Sequence, residues 1–565
     1  MREPLRVSLR VIRGRAIHIP TNNAMAGLFS SLGGLSPVNR FPGYHGSYDV
    51  GTVDVEIPAA DLPAPSDRPE GAADTIAFRI FYPCEKPGKS ESARPVRWIP
   101  QPQKETIGAF AKFLGAKDRM ASLISYLPQQ LYYIKIPAFR NAKLLEAPTS
   151  NSRWPITMFS HGLAGSRNTY SYICGDLASY GTIVVALDHR DGSSPLQYVR
   201  ATSKTPATSV EAIKISHSPT PEVYDGRDKQ LRIRLWEECM AFEALIKIDA
   251  GQTIENLDDN TSWSKKERSD VLKRFGGTLD IHRPGKVSWA GHSFGAATTV
   301  QLLKSVYYNQ EKPAGVKKPL LTPKPDAAIV QQIMPESPTL LLDMWCLPMQ
   351  SPEQSWLLER PLPSYTHDGP KGDNVLSVLS ESFFKWTANC DATKHIISAP
   401  RSSRERGKAL PNWARLRDES PSSAQDSGYG SERSRSPPNG VSKSISHTKG
   451  PHMFYPERSQ HFNQSDFGVL FPWLTQRFAK AEEPERVIDL NVRAMVQVIR
   501  EAGIDMGGKD DAEILDKDAG LRRWIAVPVG DKGTKVDAEA VKRKLSVGDQ
   551  APSDISHDRK EAIEM

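Results

Sequence analysis

Two segments near the start of the chain alternate between apolar and polar residues with a period of two. They are Tyr48–Ile57 and Thr75–Pro83, and a proline-rich stretch separates them. Alternation of this kind is typical of a strand that is half buried. The pair therefore predicts an antiparallel hairpin that opens the folded part of the chain.

From Trp154 onward the pattern changes to short, continuous apolar runs. Such runs are typical of strands that are buried on both faces, as in parallel sheets. Stretches long enough to form a helix separate the runs, and Tyr170–Tyr180 is one of them. This order predicts an α/β fold with a mostly parallel, doubly wound sheet and helices on both faces. The five runs are Ile156–Ser160, Gly181–Asp188, Val287–Ala290, Thr339–Asp343 and Val375–Leu379.

Composition divides the 565-residue chain into folded and unfolded stretches. Apolar residues make up 39% and proline accounts for 44 residues, which favours a folded core diluted by polar segments. Serine, proline, arginine and glycine dominate one long internal stretch, where we predict a disordered insertion. The predicted parts are a basic, disordered leader (1–40), the first part of the folded domain (41–400), the insertion (401–450), the return of that domain (451–505) and a charged tail (506–565). The arginine-rich leader is also similar to a mitochondrial presequence, an alternative that stays open.

Charge and cysteine content exclude several classes of function. The formal charge of +7 is small for this length, and basic residues are interspersed with acidic ones, so we expect no nucleic-acid partner. The five cysteines are widely spaced and favour reduced thiols over a disulfide framework. No segment has the roughly 20 apolar residues of a membrane-spanning helix, and none resembles a secretory signal peptide. These features predict a cytoplasmic protein.

The strongest chemical signal is the pentapeptide GHSFG at 291–295, directly after a predicted strand and before a helix-forming stretch. A nucleophile on a sharp strand-to-helix turn needs small neighbours, because side chains at Gly291 and Gly295 would collide with the adjacent backbone. The start of the following helix also favours developing negative charge. We therefore predict that Ser293 is the nucleophile of a serine esterase with the α/β-hydrolase fold. The alternative is a structural glycine-rich turn.

Ester hydrolysis through a tetrahedral intermediate also needs hydrogen-bond donors for the oxyanion. One donor in this fold is the backbone N–H of the residue after the nucleophile, here Phe294, and the other comes from a loop after an earlier strand. The His-Gly loop at 161–165 occupies that place. We predict the N–H of Leu163 as the second donor and interpret His161 as a packing residue of the loop.

A catalytic acid is expected downstream of the serine and before the histidine. Asp343 ends a leucine-rich predicted strand, where a carboxylate can orient a histidine. Asp326, in a proline-rich loop, and Glu381, after the next strand, are weaker alternatives.

The catalytic histidine is expected in a loop that borders the folded return of the domain. His461 lies immediately before a predicted helix start, and we favour it over His452. In this role His461 takes the proton from Ser293 and delivers it to the leaving alcohol, while Asp343 fixes the imidazole tautomer. No metal-ligand cluster or phosphate-binding loop competes with this interpretation, so we expect neither a metal nor a cofactor.

Seven short segments form a specific combination: WIP at 98–100, KFLG at 112–115, FSHGL at 159–163, DHRDGS at 188–193, GHSFGAAT at 291–298, LDMW at 342–345 and HFNQSDF at 461–467. Together they resemble the platelet-activating factor acetylhydrolases of the plasma and intracellular type-two kind. The resemblance runs, with gaps, from about Tyr48 to about Ala502. The long insertion before residue 461 departs from the family pattern.

The resemblance implies calcium-independent hydrolysis of sn-2 acetyl, or short or oxidised acyl, esters of glycerophospholipids without a cofactor. It supports a triad of Ser293, Asp343 and His461, with Leu163 and Phe294 as oxyanion donors. Two alternatives stay open. One is another α/β-hydrolase that acts on small acyl esters or polyesters, and the other is an inactive hydrolase-fold scaffold that binds partners through the insertion.

A phospholipid substrate implies contact with a lipid surface. Four apolar residues fall on one face of a predicted helix, and more apolar side chains follow as far as Tyr133; the four are Ile107, Phe110, Ala111 and Leu114. We therefore predict that residues 107–133 make peripheral contact with a membrane. A helix pair that packs on the sheet is an equally supported alternative.

Overall fold

A computed structural model describes residues 40–88, 95–126, 129–366, 368–400, 449–507, 514–516 and 520–529. The predicted leader, apart from residue 40, and the predicted insertion, apart from its last two residues, lie outside the described residues. The described part contains twelve strands. They are β1 (Val50–Pro58), β2 (Thr75–Pro83), β3 (Phe139–Arg140), β4 (Ile156–Ser160), β5 (Ile183–Leu187), β6 (Leu196–Val199), β7 (Thr208–Glu211), β8 (Val287–His292), β9 (Thr339–Leu342), β10 (Val375–Val378), β11 (His452–Pro456) and β12 (Trp524–Ala526).

Ten of these strands form one sheet in the order β12-β11-β10-β9-β8-β4-β5-β2-β1-β3, and β6 and β7 form a separate ribbon. The pairs from β11 to β5 along this order are all parallel. The first two strands form the predicted antiparallel hairpin, in which Val50 pairs with Pro83 and Pro58 pairs with Thr75. The mostly parallel α/β sheet is therefore confirmed.

Helices cover both faces of the sheet, and alternate residues of each strand enter different cores. Ile183 and Val185 of β5 pack in one core, whereas Val184 of the same strand packs in the other. No helix in the described part of the chain is long and apolar enough to cross a membrane. The helices are α1 (Gln103–Phe113), α2 (Asp118–Ile124), α3 (Ser171–Ser179), α4 (Pro221–Asp249), α5 (Lys265–Leu272), α6 (Phe294–Tyr307), α7 (Ala328–Gln332), α8 (Ser355–Glu359), α9 (Glu381–Lys385), α10 (Thr387–Ile397), α11 (Asp466–Leu470), α12 (Pro472–Ala479) and α13 (Pro484–Glu501).

The sheet continues into the segment that the sequence predicts as a charged tail. Trp524–Ala526 pairs antiparallel with β11, and the Trp524 ring stacks on Phe454 at a centroid distance of 5.0 Å. The Trp524 indole N–H donates to the Ile514 carbonyl at 3.0 Å. Three residues are too few to produce a periodic pattern, so the charged surroundings hide this strand in the sequence.

The sequence predicts that one apolar face of α1 contacts a membrane. In the structure, part of this face is buried in the domain and part is exposed to solvent. Ile107 and Ala111 are buried, and the ring of Phe110 packs edge-on against Phe467 at 5.9 Å. Leu114, in contrast, is 73% exposed. The first three residues therefore follow the alternative interpretation, in which the helix packs on the domain.

The opening hairpin is buried on both faces, not on one face as its alternation predicts. Its polar residues meet arginines in the interior. Glu56 accepts hydrogen bonds from the Arg200 guanidinium at 2.6 Å and from the Thr75 hydroxyl at 2.6 Å, and Arg190 lies 3.1 Å away. Burial alone would raise the pKa of Glu56, but the two arginines outweigh it and lower this pKa from 4.5 to about 2.

Replacing Glu56 by glutamine (Glu56→Gln) should lower the free energy of unfolding at pH 7 by about 3 kcal/mol, since Arg190, which is buried, and Arg200, which is partly buried, lose their carboxylate partner. A depressed pKa means that the carboxylate stabilises the fold fully above pH 4.5 and that this contribution disappears as the pH falls toward 2. Urea unfolding should therefore show that the difference in unfolding free energy between variant and wild type decreases as the pH is lowered from 4.5 toward 2.

Glu85→Gln is the matched control, because Glu85 is 49% exposed and pairs with Lys143 at the surface. An exposed pair contributes less than about 1 kcal/mol. A pH-independent difference for the Glu56 variant would contradict the prediction.

Candidate active site

Ser293 occupies the turn between β8 and α6. Its backbone has φ 56° and ψ −117°, which a residue with a side chain adopts only where its surroundings enforce it. Here the neighbouring strand does so. The Ser293 N–H donates to the Leu342 carbonyl at 2.8 Å, and the Ser293 carbonyl accepts from the Trp345 N–H at 3.2 Å. The turn therefore has the strained strand-to-helix geometry of a nucleophile elbow.

The two glycines of the motif allow this turn to pack against its neighbours. A Cβ atom on Gly295 would lie 1.9 Å from the carbonyl oxygen of Ser160, and one on Gly291 would lie 2.4 Å from the carbonyl carbon of Gly295. Both obstacles are backbone atoms, which cannot rotate away. A side chain at Gly295 would therefore push the turn away from the end of β4, and one at Gly291 would distort the turn itself.

The loop after β4 passes directly over the serine. A Cβ on Gly162 would lie 3.0 Å from the Cβ of Ser293, and the next residue in the loop is Leu163. Among the hydrogen bonds of the described residues, none uses the backbone N–H of Leu163 or of Phe294. Phe294 thus follows the serine directly, Leu163 follows the glycine that lies against it, and neither N–H has an acceptor among these hydrogen bonds.

Asp343 and His461 lie in direct contact, although the chain between them includes the predicted insertion. His461 Nδ1 and Asp343 Oδ2 are 2.9 Å apart. The other carboxylate oxygen of Asp343 accepts the Ser380 N–H. The Asp343 side chain is fully buried and that of His461 is 16% exposed. With Nδ1 engaged by the carboxylate, Nε2 is the imidazole nitrogen left for chemistry.

The alternative residues do not make this contact. His452 lies in β11, buried, with Nε2 3.1 Å from the Asp373 carbonyl. Asp326 is exposed in the loop before α7. Glu381 forms an ion pair with Lys385 and accepts the backbone N–H of Arg458. The geometry therefore favours Asp343 and His461 as the acid and base, and the assignment remains a prediction.

A slot between two rings holds the imidazole of His461. Phe383 stacks on one side, with a ring-centroid distance of 4.4 Å and an interplanar angle of 4°. His292 lies on the other side, with a centroid distance of 4.4 Å and an interplanar angle of 31°. His292 Nδ1 is 2.7 Å from the Tyr170 hydroxyl, which accepts the Gly162 N–H at 3.2 Å. Burial lowers the pKa of His292 well below its ordinary value, so His292 is a neutral spacer between the base and the loop over Ser293.

Sequence reasoning missed Phe383 and Tyr170. Tyr170 is 122 residues from His292 in the chain, and nothing within its own segment marks that contact. His161, in contrast, is buried as its interpretation requires, and its Nε2 accepts the His189 N–H at 3.0 Å. Burial, followed by the charge of Arg234, lowers the pKa of His161 to about 4.

One group of possible metal ligands occurs in the described part of the chain, and it coincides with this site. It consists of His292, Asp343 and His461, whose ligand atoms lie within 4.8 Å of one another. The contact between Asp343 and His461 already accounts for two of the three residues.

The family model for "Platelet-activating factor acetylhydrolase, isoform II" matches residues 33–512. The chain belongs to this family. A family of ester hydrolases, together with the sheet and the elbow described above, makes the chain an ester hydrolase with the α/β-hydrolase fold.

Individual relatives agree with the family match. A Schizosaccharomyces pombe protein named "Putative phospholipase A2" is 26% identical over 85% of this chain and 97% of its own length. Platelet-activating factor acetylhydrolases of dog and guinea pig are 28% and 31% identical over 47% and 42% of this chain. The chain spans about half the length of these two mammalian relatives. Among solved structures, a ferulic acid esterase from Streptomyces cinnamoneus matches with 14% identity and a TM-score of 0.41, covering 86% of this chain and 98% of that chain.

Replacing Gly295 by alanine (Gly295→Ala) should lower the free energy of unfolding by at least about 2 kcal/mol and abolish esterase activity, because the added methyl group meets the Ser160 carbonyl. Thermal unfolding and hydrolysis of a nitrophenyl ester measure the two effects. Gly315→Ala is the control, since a Cβ at Gly315 meets no atom within 4 Å. The clash would be disproved if both variants melted at the wild-type temperature.

Proposed function

We propose that this family member hydrolyses the sn-2 acetyl, or a short or oxidised acyl, ester of platelet-activating factor-like glycerophospholipids through an acyl-enzyme on Ser293. The family match supports the substrate class. The proposed reaction mechanism is supported mainly by the contact between His461 and Asp343. Asp343 is close in the fold to the strained turn of Ser293, because the Ser293 N–H donates to the carbonyl of the preceding residue, Leu342.

In the acylation step, Nε2 of His461 takes the proton of the Ser293 hydroxyl as its oxygen attacks the ester carbonyl. The carbonyl oxygen becomes an oxyanion, which the N–H groups of Leu163 and Phe294 stabilise. Asp343 stabilises the imidazolium that forms. When the intermediate collapses, the bond to the leaving alcohol breaks, and His461 gives this oxygen its proton, which releases the lysophospholipid.

Deacylation repeats the sequence with water as the nucleophile. His461 takes a proton from water, the hydroxide oxygen attacks the acyl carbonyl, and the same two N–H groups bind the second oxyanion. Collapse breaks the bond to Ser293, whose oxygen recovers a proton from His461. The products are a short carboxylic acid and free enzyme, so no cofactor enters the balance.

Ser293→Ala should reduce kcat on p-nitrophenyl acetate and on a 2-acetyl phospholipid by about 10⁴-fold or more, since the nucleophile is lost. Ser150→Ala, at an exposed serine before β4, is the control and should retain full activity. A wild-type protein without esterase activity would instead support the scaffold interpretation.

A series of sn-2 acyl chains from acetyl to palmitoyl tests the substrate class. We expect kcat/KM to fall steeply beyond short chains for the wild-type enzyme. Hydrolysis of small acyl esters with none of the phospholipids would indicate another kind of α/β-hydrolase.

We also propose peripheral membrane contact through the region 107–133. Leu114, Met120, Tyr126 and Tyr133 are 73%, 54%, 55% and 68% exposed. Phe467 of α11 packs against α1, and the following helix, α12, adds Trp473 at 63% exposure. Several large apolar side chains at one surface are typical of interfacial binding.

The double variant Leu114→Asp with Met120→Asp should reduce co-sedimentation with phosphatidylcholine vesicles at least about fivefold, because two apolar anchors become charged. Met334→Asp is the control, since Met334 is 37% exposed and precedes β9 at the opposite end of the sheet from Ser293. Equal vesicle binding by the double variant, folded and active on p-nitrophenyl acetate, would rule out this surface.

We further propose that the protein works in the cytoplasm. All five cysteines are free and buried, which fits a reducing compartment.

A further inference from the structure

We propose that Arg234 is a positioning residue that fixes the two oxyanion donors, Leu163 and Phe294, relative to each other. The inference rests on the proposed function, because it concerns the same oxyanion. Arg234 lies in the middle of α4, and its side chain is fully buried.

The guanidinium group holds the loop over the serine on both sides of Leu163. Arg234 Nη1 donates to the His161 carbonyl at 2.8 Å, two residues before Leu163. Nη2 donates to the Ser193 hydroxyl at 2.6 Å, and the Ser193 carbonyl accepts the Ala164 N–H at 2.9 Å. The peptide group that carries the Leu163 N–H is therefore held through the peptide groups before and after it in the chain.

The same guanidinium group also contacts the helix that carries the second donor. Its central carbon lies 4.3 Å from the centroid of the Phe294 ring, within cation–π range. Nη1 lies 3.4 Å from the Thr298 hydroxyl in the first turns of α6. One rigid, planar group thus contacts both elements whose N–H groups must converge on the oxyanion.

Asp191 keeps this arginine in place. Arg234 Nε donates to Asp191 Oδ2 at 2.7 Å, and Asp191 Oδ1 accepts the Ser193 hydroxyl at 2.5 Å. Burial alone would raise the pKa of Asp191, but Arg234 outweighs it and lowers this pKa, so the pair stays charged. A lysine could not reproduce the geometry, because an ammonium group lacks the planar fork that serves several acceptors in fixed directions.

The expected consequence is specific to the transition state. Oxyanion donors act only when they lie about 2.7–3.1 Å from the developing charge. A displaced donor therefore lowers kcat and leaves ground-state binding, and hence KM, nearly unchanged.

Arg234→Lys should reduce kcat on p-nitrophenyl acetate about 10- to 100-fold, with KM within about twofold of wild type. A trifluoromethyl ketone, whose serine adduct carries the oxyanion, should lose affinity by the same factor as kcat/KM. Arg232→Lys is the control on the same helix. Arg232 donates to the carbonyls of Lys318 and Pro319 and should tolerate the change.

Ser193→Ala is the second variant, because it removes one link between Arg234 and the loop and leaves the charged pair intact. It should lower kcat about 3- to 10-fold with unchanged KM. If Arg234→Lys does not fold, this variant alone tests the positioning role. Wild-type kcat in a folded Arg234→Lys, or in Ser193→Ala, would overturn the proposal, as would a loss confined to KM. A protein in which Ser293→Ala keeps full activity would overturn the proposed function itself, whereas a Ser293-dependent esterase indifferent to Arg234→Lys would overturn only the positioning role.

Discussion

The geometry of the candidate active site depends on the close approach of two backbone segments. The turn at Ser293 and the loop after β4 approach so closely that Gly295 has no room for a side chain, and Gly162 lies against the serine. Leu163 and Phe294, the residues proposed to supply the two oxyanion donors, lie on these two segments. The close approach also requires that both segments be fixed from behind, because two chains pressed together without side chains between them have few contacts of their own. The sheet fixes the turn through its hydrogen bonds with β9, and α4 supports the loop through Arg234.

The histidine reaches this site from a segment that begins after a long interruption in the described chain. Parallel pairing of β11 with β10 returns that segment to the sheet, with His452 opposite Leu376. Asp466, five residues after His461, then accepts the N–H groups of Ser171 and Tyr172 at the start of α3, both at 2.9 Å. A strand on one side of the loop and a helix cap on the other therefore set the position of His461.

Local patterns explain why much of this arrangement was predictable. Buried strands, the small residues around Ser293 and the carboxylate at the end of β9 all leave marks within a few neighbouring residues. Contacts across the fold leave no such marks. Nothing near Arg234 in the sequence indicates that it meets Asp191 and the His161 carbonyl, and the alternation of β1 gave no sign that Glu56 would be buried. Period-two patterning reports where apolar side chains lie, but a polar face can also be buried when charged partners from distant segments cover it.

Burial distinguishes the histidines that support the candidate site from the histidine proposed to transfer protons. Burial lowers the pKa of His161, His189 and His292, so these imidazoles are neutral and serve as hydrogen-bonding spacers. Arg234 pairs with the buried carboxylate of Asp191 beneath the loop after β4. The donors proposed for the oxyanion are backbone N–H groups, which do not change protonation, so they are in place before the substrate arrives. His461, paired with Asp343 and 16% exposed, is the histidine to which we assign proton transfer, and its partial exposure agrees with that proposed role.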